Sequence, residues 1–128
     1  MRCVVAFIAL FALGTFVAGD VHGLDIQVAP QTLVVSSGGD NVTIHTDLPG
    51  SPDAPDPPFV LTITPDGGSP SEVAIDDVFL DDCYRYVVRC DRQAAAAAVG
   101  EFDGKRTTAT VFLTVDGDSG AEVITVRK

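Results

Sequence analysis

The chain has 128 residues, with 18 Asp or Glu against 8 Lys or Arg and a net charge of −10. That balance argues against nucleic acid or an anionic membrane as partner, because both would repel it, and favours cations as small partners. With no Trp and only two Tyr, the chain also lacks the aromatic supply of a carbohydrate-cleaving cleft.

The opening segment, MRCVVAFIALFALGTFVAG, joins a positive charge at Arg2 to an apolar run from Cys3 to Leu13 and short side chains at Val17, Ala18 and Gly19. This is the build of a secretory signal peptide covering residues 1–19, with cleavage after Gly19. Its apolar part, roughly a dozen residues, falls short of the about 20 needed to span a bilayer. Residues 20–128 are then expected as one exported domain, secreted, extracellular or held at the cell surface, with no membrane span after cleavage. It would keep 7 basic and 18 acidic residues, a net charge of −11.

Several short runs alternate apolar and polar residues with the period of 2 that marks half-buried strands. In chain order they are LDIQVA with Leu24, Ile26 and Val28, NVTIHT with Val42 and Ile44, FVLTIT with Phe59, Leu61 and Ile63, and a continuation through Val73 and Ile75. TATVFLTV and AEVITV follow, joined by DGDSG, whose residues suit the turn of a hairpin. The Pro- and Gly-rich stretches LPGSPDAPDPP and TPDGGSPS cannot extend a ladder and read as loops. Seven or eight strands of about this spacing predict an all-β, two-sheet antiparallel sandwich. The loop from Leu48 to Pro58 is long for a hairpin and is expected to carry the chain from one sheet to the other.

DRQAAAAAVG breaks this pattern. Asp91 can cap the first turn and Gly100 can stop the last, which predicts one short helix around residues 92–99. About two turns are marginal alone even with high alanine propensity, so this helix depends on packing against a sheet.

Two cysteines bracket a strand-like run in DVFLDDCYRYVVRCDR. Seven extended steps of about 3.3 Å put their Cα atoms roughly 23 Å apart, and a disulfide tolerates about 4.4–6.8 Å. No disulfide is therefore expected between Cys83 and Cys90. By parity Tyr84, Tyr86, Val88 and Cys90 share one face and Cys83, Arg85, Val87 and Arg89 the other. The arginine face is the wetter one, which makes Cys90 a core residue. Cys83 stands at a loop–strand junction, where either a thiol or intermolecular pairing with another molecule fits.

This stretch resembles a β-sandwich module of secreted bacterial surface proteins, immunoglobulin-like or cohesin-like, in which a D-x-N-x-D-G-x-x-D calcium loop runs into a strand and short helix. Asp77, Val78, Asp81, Val87, Val88, Arg89, Asp91 and Arg92 match that pattern. The resemblance implies an immunoglobulin-like or cohesin-like sandwich and a calcium loop that is degenerate here. Asp77 and Asp81 stand at the first and fifth ligand positions, but Phe79 replaces the third ligand, Asp82 the turn glycine and Arg85 the late carboxylate. The residual metal candidates are Asp77, Asp81 and Asp82. Cys90 stands where that module has a core Phe.

Asp76, Asp77, Asp81 and Asp82 crowd seven residues, either as a solvated acidic loop or as a weak divalent-ion site. Asn41-Val42-Thr43 meets the N-glycosylation pattern, so Asn41 is a candidate in a eukaryotic secretory pathway only. The chain has no phosphate-cradling glycine loop, no nucleophile elbow and no C-x-x-C pair, so no catalytic residue and no resident cofactor are assigned. The expected function is a non-catalytic structural, binding or adhesion module that meets an extracellular protein or glycan through its loops 48–58 and 76–83. The alternative is a calcium-dependent docking or folding module built on the acidic loop 76–82. An enzyme is the remote alternative.

Overall fold

A computed structural model describes residues 23–36 and 41–128. The expected signal peptide, residues 1–19, lies outside the described residues. Nine strands and one helix follow in order: β1 Ile26–Ala29, β2 Thr32–Val34, β3 Asn41–Pro49, β4 Phe59–Pro65, β5 Ser71–Val73, β6 Asp77–Leu80, β7 Arg85–Asp91, α1 Arg92–Val99, β8 Arg106–Val115 and β9 Asp118–Arg127. They form a four-stranded sheet in the order β1-β3-β7-β6 and a five-stranded sheet in the order β2-β9-β8-β4-β5. Among the described residues no helix is long and apolar enough to cross a membrane.

The period of 2 explains the layering. Val42 and Ile44 of β3 and Val88 and Cys90 of β7 point inward from one sheet, and Leu61, Ile63, Val111, Leu113 and Val126 point inward from the other, all of them buried. The two inner faces make one continuous core. Each fully buried Leu, Ile or Val contributes about 1.5–3 kcal/mol, so the stacked faces hold the sheets together.

The pairing differs from the sequence expectation in two places. β2, hidden in QTLVV, is only three residues long and runs parallel to β9, with Leu33 opposite Val126. It completes a crossing in which the N-terminal part of the chain pairs first with β3 and then with β9. Asp77–Leu80, expected as part of an acidic loop, is edge strand β6, paired with Tyr86–Arg89 of β7. The Leu48–Pro58 segment does carry the chain between sheets, from β3 in one to β4 in the other.

The hairpin of β8 and β9 is tighter than DGDSG required. Asp118 already pairs with Val115, so the turn is Asp116-Gly117 alone. Both residues have positive φ, 45° and 92°, the conformation that matches the right-handed strand twist in two-residue hairpins.

α1 is bounded as its caps dictate. The Asp91 carboxylate accepts the Ala94 N–H at 3.1 Å. Gly100, at φ 77°, donates its N–H to the Ala96 carbonyl at 3.1 Å. Ala95 and Val99 are buried, and the helix packs against β4 and β5. Small side chains permit that close approach.

Cys90 is a free thiol with no exposed surface, inside the core as parity required. Burial, and then the nearby carboxylates of Asp76 and Asp91, push its thiol up to about 11 from an ordinary 9.0. The raised value means that the fold prefers the protonated thiol. Its contribution to stability is complete below about pH 9 and is lost as pH rises towards 11. Chemical denaturation across that interval should show an alkaline loss that is smaller by roughly 2–3 kcal/mol in Cys90→Ala. Equal alkaline losses in the two proteins would refute it.

Candidate functional site

The strand registers gather three connections at one end of the sandwich. Pro49 lies opposite Arg85, which puts the 50–58 loop beside the 81–84 turn. Phe59 lies opposite Val115, which brings the Asp116-Gly117 turn to the same end. The two segments nominated from sequence therefore meet, at least through residues 50–58 and 81–83. The direct link is the Gly50 N–H, which donates to the Tyr84 carbonyl at 2.9 Å.

The end is anchored from below by Tyr86. Its ring is buried and meets Phe59 edge to face, with centroids 5.7 Å apart and planes at 67°, so an aromatic pair joins the two sheets under the loops. The ring also lies over Gly50. A Cβ there would run into Tyr86 and come within 2.8 Å of Leu80 Cδ2, so the loop leaves β3 through a residue that must be glycine.

Thr46 sits in an interruption of the β3–β7 ladder. The register shifts between His45 and Pro49, a bulge that leaves the Tyr86 carbonyl without a ladder partner. The buried Thr46 hydroxyl donates to that carbonyl at 2.7 Å and accepts the Leu48 N–H at 3.1 Å.

In the 81–84 turn the Asp81 carboxylate is a structural group. Its Oδ1 accepts the Cys83 N–H at 2.8 Å and the Arg85 N–H at 3.0 Å. Its backbone N–H donates to the Arg85 carbonyl and its own carbonyl accepts from Tyr84, each at 2.9 Å. Tyr84 closes the turn at φ 58°, a left-handed conformation unusual for a bulky residue, and its side chain is 57% exposed. Asp53, Asp56, Asp82 and Asp116 are exposed on the same end. The end is thus strongly acidic, with one projecting aromatic ring.

The three metal candidates are not convergent. Asp77 is on β6, its Oδ2 3.8 Å from Arg89 Nη1, while the Arg89 guanidinium lies 4.8 Å over the Phe79 ring. Asp81 is committed to two amides, and Asp82 points to solvent. Among the described residues no three His, Cys, Asp or Glu side chains gather as a group able to hold a metal ion. Asn41 is exposed at the first position of β3, and Cys83 is half-buried in the turn.

Elsewhere on the outer face of the four-stranded sheet, Asp25 is held above the ordinary carboxylate range by partial burial and then by the Asp47 charge. Thr46, Gly50 and Tyr86 belong to no functional motif in the sequence. Glycine after LP was a usable signal, but a bulge two residues long has none. The chain matches no protein-family model and no curated protein.

Two substitutions test this construction. Thr46→Val leaves the Tyr86 carbonyl and the Leu48 N–H unpaired and should cost about 1–3 kcal/mol in urea denaturation. A loss within about 0.3 kcal/mol would show that water replaces the hydroxyl. Asp81→Ala should lower the melting temperature by the same amount in calcium and in chelator, and the unsubstituted protein should melt identically in both. A calcium-dependent rise in melting temperature would return Asp81 to the role of an ion ligand.

Proposed function

We propose that the chain is an exported, non-catalytic binding module of immunoglobulin-like build that meets a cationic partner through the acidic loop end. The strand order supports the build: β1-β3-β7-β6 follows the A-B-E-D order of such sandwiches, and β9-β8-β4 follows G-F-C, with β2 and β5 added at the edges. The module type resembles those exported to bacterial surfaces, and the leader-like segment supports export.

The observation that carries the binding reading is the junction itself. Two loops far apart in sequence, 50–58 and 81–84, are tied by the Gly50–Tyr84 hydrogen bond over a buried aromatic pair, and they present Asp53, Asp56 and Asp82 together with exposed Tyr84. Rigid loops on a packed scaffold bind with little ordering cost, and an exposed aromatic beside charge is a common anchor. The matching partner is an extracellular protein, or a glycan carrying amino groups, with positive charge on the surface it presents.

The test is retention of surface proteins and glycans from the source organism on immobilised protein. Partner retention should weaken as salt rises and should be lost in the triple variant Asp53→Asn, Asp56→Asn, Asp82→Asn, with melting temperature unchanged. A partner held equally well by that variant would place the binding surface elsewhere.

A further inference from the structure

Among the described residues the large apolar side chains left exposed are Val60, Tyr84, Phe112 and Val123. Three of the four, Val60, Phe112 and Val123, share the outer face of the five-stranded sheet. The registers Val60↔Thr114, Thr62↔Phe112, Phe112↔Ala121 and Thr110↔Val123 put them on successive diagonals of β4, β8 and β9. Diagonal neighbours on one face are within reach of each other, so the three side chains form a ridge across the sheet.

Threonines surround the ridge. Thr62, Thr64, Thr108, Thr110, Thr114 and Thr125 point the same way by parity. Charge is confined to the margins: Glu72 on edge strand β5, and Arg106 opposite Arg127 at the far end of the β8–β9 pair. The interior of the face has no ionisable side chain, on a chain of net charge −10.

We propose that this face docks a second copy of the chain, with the two five-stranded sheets packed face to face. Three observations fix the occupant. Two molecules of the same negative charge repel wherever carboxylates oppose each other, and this face is where they can approach without that penalty. A threonine hydroxyl both donates and accepts, so a threonine face can satisfy its own copy, which a carboxylate face cannot. The area also suits a homodimer. By register β8 and β9 each present five outward residues, β4 three, β2 two and β5 one; at about 4.8 Å by about 6.8 Å for each, these sixteen give roughly 500 Å² on each copy. The pair would bury about 1,000 Å², the lower bound of specific interfaces, so the dimer is weak and reversible.

Sedimentation equilibrium of the purified protein from about 1 μM to about 1 mM should show a reversible monomer–dimer equilibrium. Val123→Glu and, separately, Thr110→Glu should weaken dimerisation at least tenfold, because each sets like charges opposite each other in a desolvated contact. Both sites are on the sheet surface, and either variant with an unchanged melting temperature suffices. Tyr84→Ser, at the other candidate surface, should leave the equilibrium unaltered. A monomer at every concentration, a dimer indifferent to both glutamates, or a monomer that instead binds phosphatidylcholine vesicles through this face would each overturn the proposal.

Discussion

A single hydroxyl, that of Thr46, allows the loop end to exist. Between His45 and Pro49 β3 bulges, so its ladder to β7 is interrupted opposite Tyr86 before closing again at Pro49 and Arg85, and the carbonyl of that buried tyrosine takes its hydrogen bond from a side chain instead. An unpaired buried carbonyl costs about 1–3 kcal/mol, a large share of the stability of a small domain. Thr46 removes that cost and in the same geometry accepts the amide of Leu48. With Tyr86 held in place, its ring can cover Gly50 and reach Phe59 across the sheets. Backbone satisfaction, inter-sheet packing and loop position are thus one problem with one solution.

The acidic run around β6 follows from a different constraint. An edge strand exposes a row of unpaired backbone groups that invites another chain to add itself. Asp76, Asp77, Asp81 and Asp82 bracket β6 on both sides, and a chain approaching that edge would have to bring charge against charge. The cluster therefore has a structural reason that requires no ion. Arg89 adds to it from the neighbouring strand, neutralising Asp77 and covering Phe79, and Val87 between them is almost wholly buried on what parity alone marks as the wet face. A guanidinium placed over a ring shields apolar surface despite its charge.

What was legible in the sequence was what local chemistry decides. The helix is bounded at both ends as its Asp and Gly caps imply, because those contacts reach only three or four residues. The burial of Cys90 followed from parity in a strand whose residues leave no other conformation open. The long loop between sheets was legible because its prolines forbid a ladder. β2 was not, since a three-residue parallel strand is defined by β9, more than ninety positions away. β6 was not legible because aspartate is depleted in strands, and the edge position that tolerates its charge is a property of the finished sheet. The connections at 50–58 and 81–83 are legible as irregular chain, but their junction through Gly50 and Tyr84 depends on a bulge that no local pattern announces.

The two proposed surfaces lie at right angles, and their chemistry follows from that separation. The acidic end lies along the strand direction and works through long-range charge, whereas the threonine face lies perpendicular to it and works only on contact. Packed sheets keep their strands within about 30° of each other, so a dimer formed through that face leaves both loop ends uncovered. If the two-fold axis runs with the strands, both ends point the same way and a single cationic surface meets two sites. Weak binding at each would then combine at an effective concentration set by the rigid pair, raising overall affinity with no new contact. If the axis runs across the strands, the ends point apart and the dimer becomes a bridge between two partners. A weak, reversible homodimer is sufficient for either arrangement, because a partner that engages both ends supplies the remaining stability by mass action.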